Sequence, residues 1–213
     1  MTISQAYDEP MTTWRETVER LLRLQETLVD VWHQRGDDCE EPASGIDLLV
    51  QSQHRYNFRI WHLEDAARDP RASDEEIAQV KRAIDRLNQE RNNLFEQLDM
   101  ELLSVLQATD GWNGDAPLHS ETAGSILDRC SIMALKTYHM AEDASREDAS
   151  SAHRALAAER VALLKKQRSD LKVCLIDLLD QSASGRRRFK IYRQLKMYND
   201  PTLNPRVYGS SGR

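Results

Sequence analysis

His54, Asn57, Trp61, Glu64 and Arg68 are spaced by three and four residues, so on a helix they form one continuous seam. A second stretch repeats the pattern, with Lys81, Asp85, Asn88, Asn92, Glu96 and Asp99 running beside an apolar stripe. Two such seams facing each other can build a hydrogen-bonded polar network. A histidine beside an aspartate in that network is a candidate acid/base, because the carboxylate fixes the imidazole tautomer and raises its basicity. On an antiparallel hairpin turning at residues 69–73, Asn57 would stand opposite Asp85, and His54 opposite Asn88 or Arg91. Solvated faces with ordinary ion pairs are the competing outcome, and burial decides between the two.

A second concentration of chemistry begins at His119-Ser120-Glu121-Thr122-Ala123-Gly124-Ser125 and continues through Asp128, Lys136, His139 and Glu142. Ser125, Asp128, His139 and Glu142 can share one side of a helix. The helix start offers free backbone N–H groups, and Gly124 and Ser125 leave room for a ligand, although the charge of Glu121 opposes an anion there. Capping is the plainer role of these residues. An antiparallel partner helix would bring Asp128 to Lys165 or Arg168, and His139 to His153. The chain has no H-E-x-x-H and no paired E-x-x-H, so no metal ligand is assigned, and a dedicated transition-metal site is not expected. Carboxylate-held Mg²⁺ has no comparable signature and stays open.

The third feature is electrostatic. Residues 186–198 read RRRFKIYRQLKMY, in which Arg and Lys suit phosphate oxygens while Phe189, Tyr192 and Tyr198 can stack on a base or pack inward. From residue 183 onward eight Lys/Arg stand against one Asp, leaving 21 Lys/Arg against 34 Asp/Glu, or −13, for the rest of a chain whose total is −6. The basic segment therefore meets either an external anion or the acidic body itself. That body would repel a long polyanion, so nucleic acid is not expected as a partner.

The elements that must position these residues are helical. With 213 residues, 30% charged and 40% hydrophobic, and only 8 Gly and 6 Pro, the chain has the composition of one domain of long amphipathic helices. Apolar periodicity gives a first helix over residues 12–34, stopped by Gly36, and a second over 46–68, ended by Asp69-Pro70. Ser73 and Glu76 form a capping-box pattern that opens a third helix reaching Asp110-Gly111. A fourth spans 120–145, a fifth runs from Ser145 to about Gln181, and a short basic helix covers 186–197. The expected fold is all-α, an antiparallel helical bundle of about five long helices plus that C-terminal helix. Residues 1–208 form a single domain and 209–213 a flexible tail.

Cys39, Cys130 and Cys174 contain no C-x-x-C and cannot all pair, which argues against a disulfide framework and for a reducing compartment. Met1 to Pro10 is polar, and no apolar run approaches the ~20 residues of a membrane span. The expected location is cytoplasmic.

The stretch His54 to Arg68 with Ile60-Trp61-His62 and Glu64-Asp65, the run from Lys81 to Asn92, residues 119–140 and Tyr192 to Pro201 together resemble the bacterial family catalogued as domain of unknown function 4254. The resemblance covers most of residues 45–208. Such a family carries no assigned activity. It implies a link to cell-envelope polysaccharide metabolism, through family members encoded beside envelope-sugar glycosyltransferases. Asn93 departs from the family's usual Asp and removes one carboxylate from that position.

The function expected from these readings is binding of an anionic small molecule, phosphorylated or of nucleotide-sugar type, in a polar cleft closed by the basic C-terminal helix. His54 or His139 would serve as acid/base with Asp85 as orienter. Asn57, Trp61, Asn88, Ser125 and Tyr198 would line the cleft, and Arg193 with Lys196 would clamp the anion. The competing class is a non-enzymatic interaction module recruiting an acidic protein or a glycosyltransferase through its basic C-terminus. No cofactor and no reaction are specified by the sequence.

Overall fold

The computed structural model describes residues 13–38, 43–193 and 202–204. Its helices are α1 (Trp14–Arg35), α2 (Gly45–Ala66), α3 (Asp74–Gln107), α4 (Ala123–Ser145) and α5 (Ser151–Ala183), and no strand is present among the described residues. Each start has a local chemical cause. Thr13 with Glu16 and Ser73 with Glu76 form reciprocal capping boxes that satisfy the first free N–H groups of α1 and α3. α5 is capped by Ser150 and not by Ser145, because residues 146–149 make a turn first. Gly36 ends α1 at φ 84°, where its N–H still reaches the Trp32 carbonyl.

Helix direction matters more for function than helix count. Arg20 pairs with Asp47 and Arg59 with Asp37, while the ring of His33 lies 5.3 Å from that of His62. Residue numbers rise together on both helices, so α1 and α2 run parallel, although they follow each other in the sequence. α4 shares their direction, since Gln25 bonds the Leu127 carbonyl, Gln53 bonds Asp128, and Trp61 stacks on His139. α3 and α5 run the opposite way: Gly124 meets Asp99 while Asp128 meets Arg91, and Glu19 meets Lys172 while Glu26 meets Arg168. The bundle expected from the sequence is present, but an up-and-down order would have put α1 and α2 antiparallel. Three parallel helices with two antiparallel ones bring the C-terminal halves of α1, α2 and α4 to one end.

One apolar core, built from Leu21, Leu98, Leu106, Ile126, Leu175 and Leu179 among others, fills the end holding the N-termini of these three helices. A second, around Leu28, Trp32, Phe58 and Leu135, fills the end where the histidines gather. At the first of these ends α4 and α3 touch backbone to backbone. A Cβ on Gly124 would lie 2.5 Å from the Phe95 carbonyl oxygen, so only glycine allows that approach.

The basic C-terminal helix does not form over its described part. Residues 186–193 are non-helical after Gly185 turns the chain at φ 70°. Their backbone groups are taken by the 116–119 loop: Arg188 N–H donates to the Pro117 carbonyl at 3.1 Å, and His119 N–H to the Arg188 carbonyl at 2.7 Å. Phe189 is buried in the main core, which docks the segment onto the body. Residues 194–197 lie outside the described residues.

Candidate metal centre

His33 near the end of α1, His62 near the end of α2 and His139 in the last third of α4 meet at one height, a consequence of the shared direction of the three helices. One ring nitrogen of each lies within 4.8 Å of the others. A tetrahedral ion with Zn–N bonds near 2.05 Å needs nitrogens about 3.3 Å apart, so small rotations of side chains suffice to close the set. His62 is exposed, and it leaves the centre open to solvent on its side.

The tautomers are set from behind. His33 Nδ1 lies 2.7 Å from the Val29 carbonyl oxygen, which can only accept, so Nδ1 carries the proton and Nε2 the lone pair. His139 Nδ1 lies 3.0 Å from the Glu142 carboxylate, with the same result. Both Nε2 atoms are buried and have no hydrogen-bond partner. Buried polar atoms are seldom left unsatisfied, and two imidazole lone pairs on rings with tethered Nδ1–H groups suit a bound cation. Burial lowers the pKa of His62, and the neighbouring His33 and His139 lower it further; burial likewise lowers that of His139 against the opposing pull of Glu142. Neutral rings are the ligating form.

Aromatic packing fixes the rings. Tyr138 stacks on His33 at 4.0 Å, and Phe58 meets both His33 and His62 edge-on at 4.9 and 4.5 Å. Asp65 and Asp37 lie close enough to raise the pKa of His62 electrostatically, which adds negative potential to the open side.

Of the residues singled out from the sequence, His139 and Trp61 belong to this centre. His139 does not meet His153, which pairs with Asp143 instead. His54 and Asn57 are buried as the seam suggested, but in a different network. His54 Nδ1 is 2.6 Å from Ser131 Oγ, and Asn57 donates to Ser131 Oγ at 2.8 Å and to Asp128 Oδ1 at 3.0 Å. Arg91 closes it, donating to Asn57 Oδ1 at 3.2 Å with its Nε 3.6 Å from Asp128. The His54–Asp85 pair is absent. Asn57 faces Arg91, almost two helical turns beyond Asp85, and Asp85 forms a surface ion pair with Lys81. Asn88 is half-buried on α3. With no access to water, and a pKa lowered to about 3 by burial and the Arg168 charge, His54 sits as a neutral structural ring.

Ser125 is spent on the α4 cap, where its Oγ donates to the Thr122 carbonyl at 2.8 Å. The anion position at that helix start is filled from within: Asp99 Oδ1 accepts the Gly124 N–H at 2.6 Å. Arg168 forms no pair with Asp128; it bonds the Cys130 and Leu22 carbonyls, Gln25 and Glu26. Arg193 is exposed, and Lys196 and Tyr198 lie outside the described residues.

His33 and His62 are the residues that sequence reasoning missed. Their signal was the long linker 36–44, which permits a crossover and hence places two distant histidines at the same end.

The chain belongs to the family described as Protein of unknown function (DUF4254), whose model matches residues 47–191 and so contains His62, His139 and Glu142 but not His33. No curated protein and no solved structure matches the chain.

Proposed function

We propose that the protein binds one divalent transition-metal ion, zinc the best suited, through Nε2 of His33, Nε2 of His139 and a ring nitrogen of His62, and that the fourth position takes water or an anionic small molecule. The observation that carries this reading is the pair of buried Nε2 lone pairs without partners, each on a ring whose Nδ1–H is tethered to Val29 or Glu142. Three imidazoles suit zinc, copper, iron or nickel, and three protein ligands with one open place are the pattern of catalytic zinc sites. A cation there also meets the negative end of the α1 dipole, in whose last turn His33 lies.

The anionic ligand of the sequence reading, phosphorylated or nucleotide-sugar in type, enters this proposal as the group on the metal. An ion with an open position polarises a phosphoryl oxygen or lowers the pKa of bound water, and either supports hydrolytic chemistry on such a ligand. Arg193 and the rest of the basic segment supply the anion clamp in the earlier reading; the metal takes over that role here. The proposed setting is the cytoplasm, with the free thiols Cys130 and Cys174 in keeping with a reducing compartment, and the resemblance points the ligand towards cell-envelope polysaccharide metabolism. Among the described residues no helix is long and apolar enough to cross a membrane.

The test is metal content of the purified protein, followed by zinc titration against a chromophoric chelator and by cobalt substitution, whose visible bands report tetrahedral nitrogen ligation. One ion per chain is expected. His33→Ala, His62→Ala and His139→Ala should each weaken binding by about 100-fold or more, with His153→Ala unchanged. Stoichiometric zinc that survives His62→Ala, or no zinc affinity in the wild type, overturns the reading.

A further inference from the structure

A groove of about 730 Å³ runs between α1, α4 and α5, on the far side of Tyr138 from the three histidines. Its size falls within the usual range for small-molecule sites, ~300–1,000 Å³. Its floor is kept open by small side chains, since Ala134 and Ala141 of α4 leave the space a larger residue would fill. Tyr138 and Thr137 border it, and Tyr138 is the wall it shares with His33.

The two long walls carry opposite charges in register. α1 and α5 are antiparallel, and ion pairs join them like rungs: Glu19 with Lys172 at 3.7 Å, then Glu26 with Arg168. One turn further, the next rung would join Asp30 to Lys165, which are four residues past Glu26 and three before Arg168 and both line the groove. That rung is open. Among the described residues neither Asp30 nor Lys165 makes an ion pair or a hydrogen bond, and Arg23 on the α1 wall is also without an anionic partner. A carboxylate and an ammonium that line a groove unpaired, one turn beyond two closed rungs, mark the place of a ligand with the complementary pair of charges.

We propose that this groove binds a small zwitterion, whose anionic group (carboxylate or phosphate) pairs with Lys165 and whose ammonium pairs with Asp30. The ligand completes the third rung, and its polar body lies over Thr137 and Tyr138. A simple anion meets Asp30 with repulsion, and a simple cation meets Lys165, so neither alone satisfies both walls. The site is separate from the metal centre and stands whether or not a metal binds there.

Asp30 and Lys165 are both exposed, so replacing them leaves the core intact. The experiment is a thermal-shift and calorimetric series on the full-length protein with 2-aminoethyl phosphate, glycine, L-serine and L-glutamine as zwitterions. Succinate and inorganic phosphate serve as anions and 1,4-diaminobutane as the cation. At saturation at least one zwitterion is expected to raise Tm by about 5 °C, while the probes that carry charge of one sign only bind about tenfold more weakly or worse. Asp30→Asn and Lys165→Gln should each lower the zwitterion's affinity by about tenfold, whereas Lys166→Gln, on the next face of α5, should leave it unchanged. The proposal falls if no zwitterion in the series shifts Tm, if phosphate or diaminobutane binds as well as the zwitterions, or if affinity survives both substitutions.

Discussion

The indole of Trp61 and the imidazole of His139 lie face to face, ring centroids 4.8 Å apart and planes 5° from parallel, which joins α2 to α4 at the candidate metal centre. A ligand ring held on its flat face keeps its coordinating nitrogen in one direction, so less ordering is left to be done when an ion arrives. Trp61→Ala should weaken zinc binding by about tenfold, and Trp61→Phe, which keeps an aromatic face, should recover most of it. Chelator competition on the three proteins checks this, and equal affinities would show that the stack orients nothing.

Glu142 holds the Nδ1–H of His139 from the solvent side, and its side chain is 55% exposed. Because so little is buried, removing it should scarcely change folding stability, yet it frees the ring to rotate and reduces its basicity. Glu142→Ala should therefore lower metal affinity by about 10- to 100-fold with a Tm within a degree or two of wild type, while Glu142→Gln, whose carbonyl still accepts from Nδ1–H, should fall between the two. A parallel loss of Tm and affinity would instead mean that Glu142 supports the fold.

Helix positions were written in the sequence because each amphipathic stripe and cap is local: Ser73 with Glu76 opens α3 as the pattern required, and Gly36 ends α1. Burial of His54 and Asn57 was not decided by the sequence, since a polar seam beside an apolar stripe can face inward or be solvated. Nor were their partners, because they depend on direction and axial offset between helices. α1 and α2 are parallel, and Asn57 meets Arg91 and Asp128 where an even hairpin would have offered Asp85. Spacing along one helix carries no information on that choice. The same parallel direction brings together His33 and His62, which are unremarkable within their own helices.

His54 gives the fold a sensitivity to acid. Its pKa is lowered to about 3 from 6.5, chiefly by burial, so the folded state holds the neutral ring that an unfolded chain would protonate below pH 6.5. The stability it contributes is complete above pH 6.5 and is lost as pH falls towards 3, at up to ~1.4 kcal/mol per pH unit. In NMR titrations the His54 ring signals should stay fixed down to pH 4. A His54 midpoint near 6 would mean that water reaches the ring.

Gly124 sets how closely α3 and α4 approach. Gly124→Ala would place its methyl group 2.5 Å from the Phe95 carbonyl and 2.9 Å from Asp99 Oδ1, and the first of these is backbone that cannot swing aside. A loss of about 1–3 kcal/mol is expected in urea denaturation, even though alanine is the better helix former. Unchanged or increased stability would show that the two helices separate without cost.

Asp99 acts in the opposite sense to His54. Its carboxylate is buried at the start of α4, where desolvation raises its pKa to about 6 from 3.8 although Thr122 and the Gly124 N–H favour the charged form. A carboxylate whose folded pKa is raised binds its proton more tightly in the native state, so its contribution to stability is complete below pH 3.8 and is lost as pH rises through 6. Asp99→Asn keeps an oxygen for the Gly124 N–H and removes the charge. The variant should be more stable than wild type at pH 8, and its advantage should shrink by about 1.4 kcal/mol at pH 5, where the wild-type carboxyl is mostly protonated in the fold. Chemical denaturation of both proteins at the two pH values decides the matter. If the difference is the same at pH 5 and pH 8, Asp99 is not protonated in that interval, and the helix start holds its charge better than burial alone would allow.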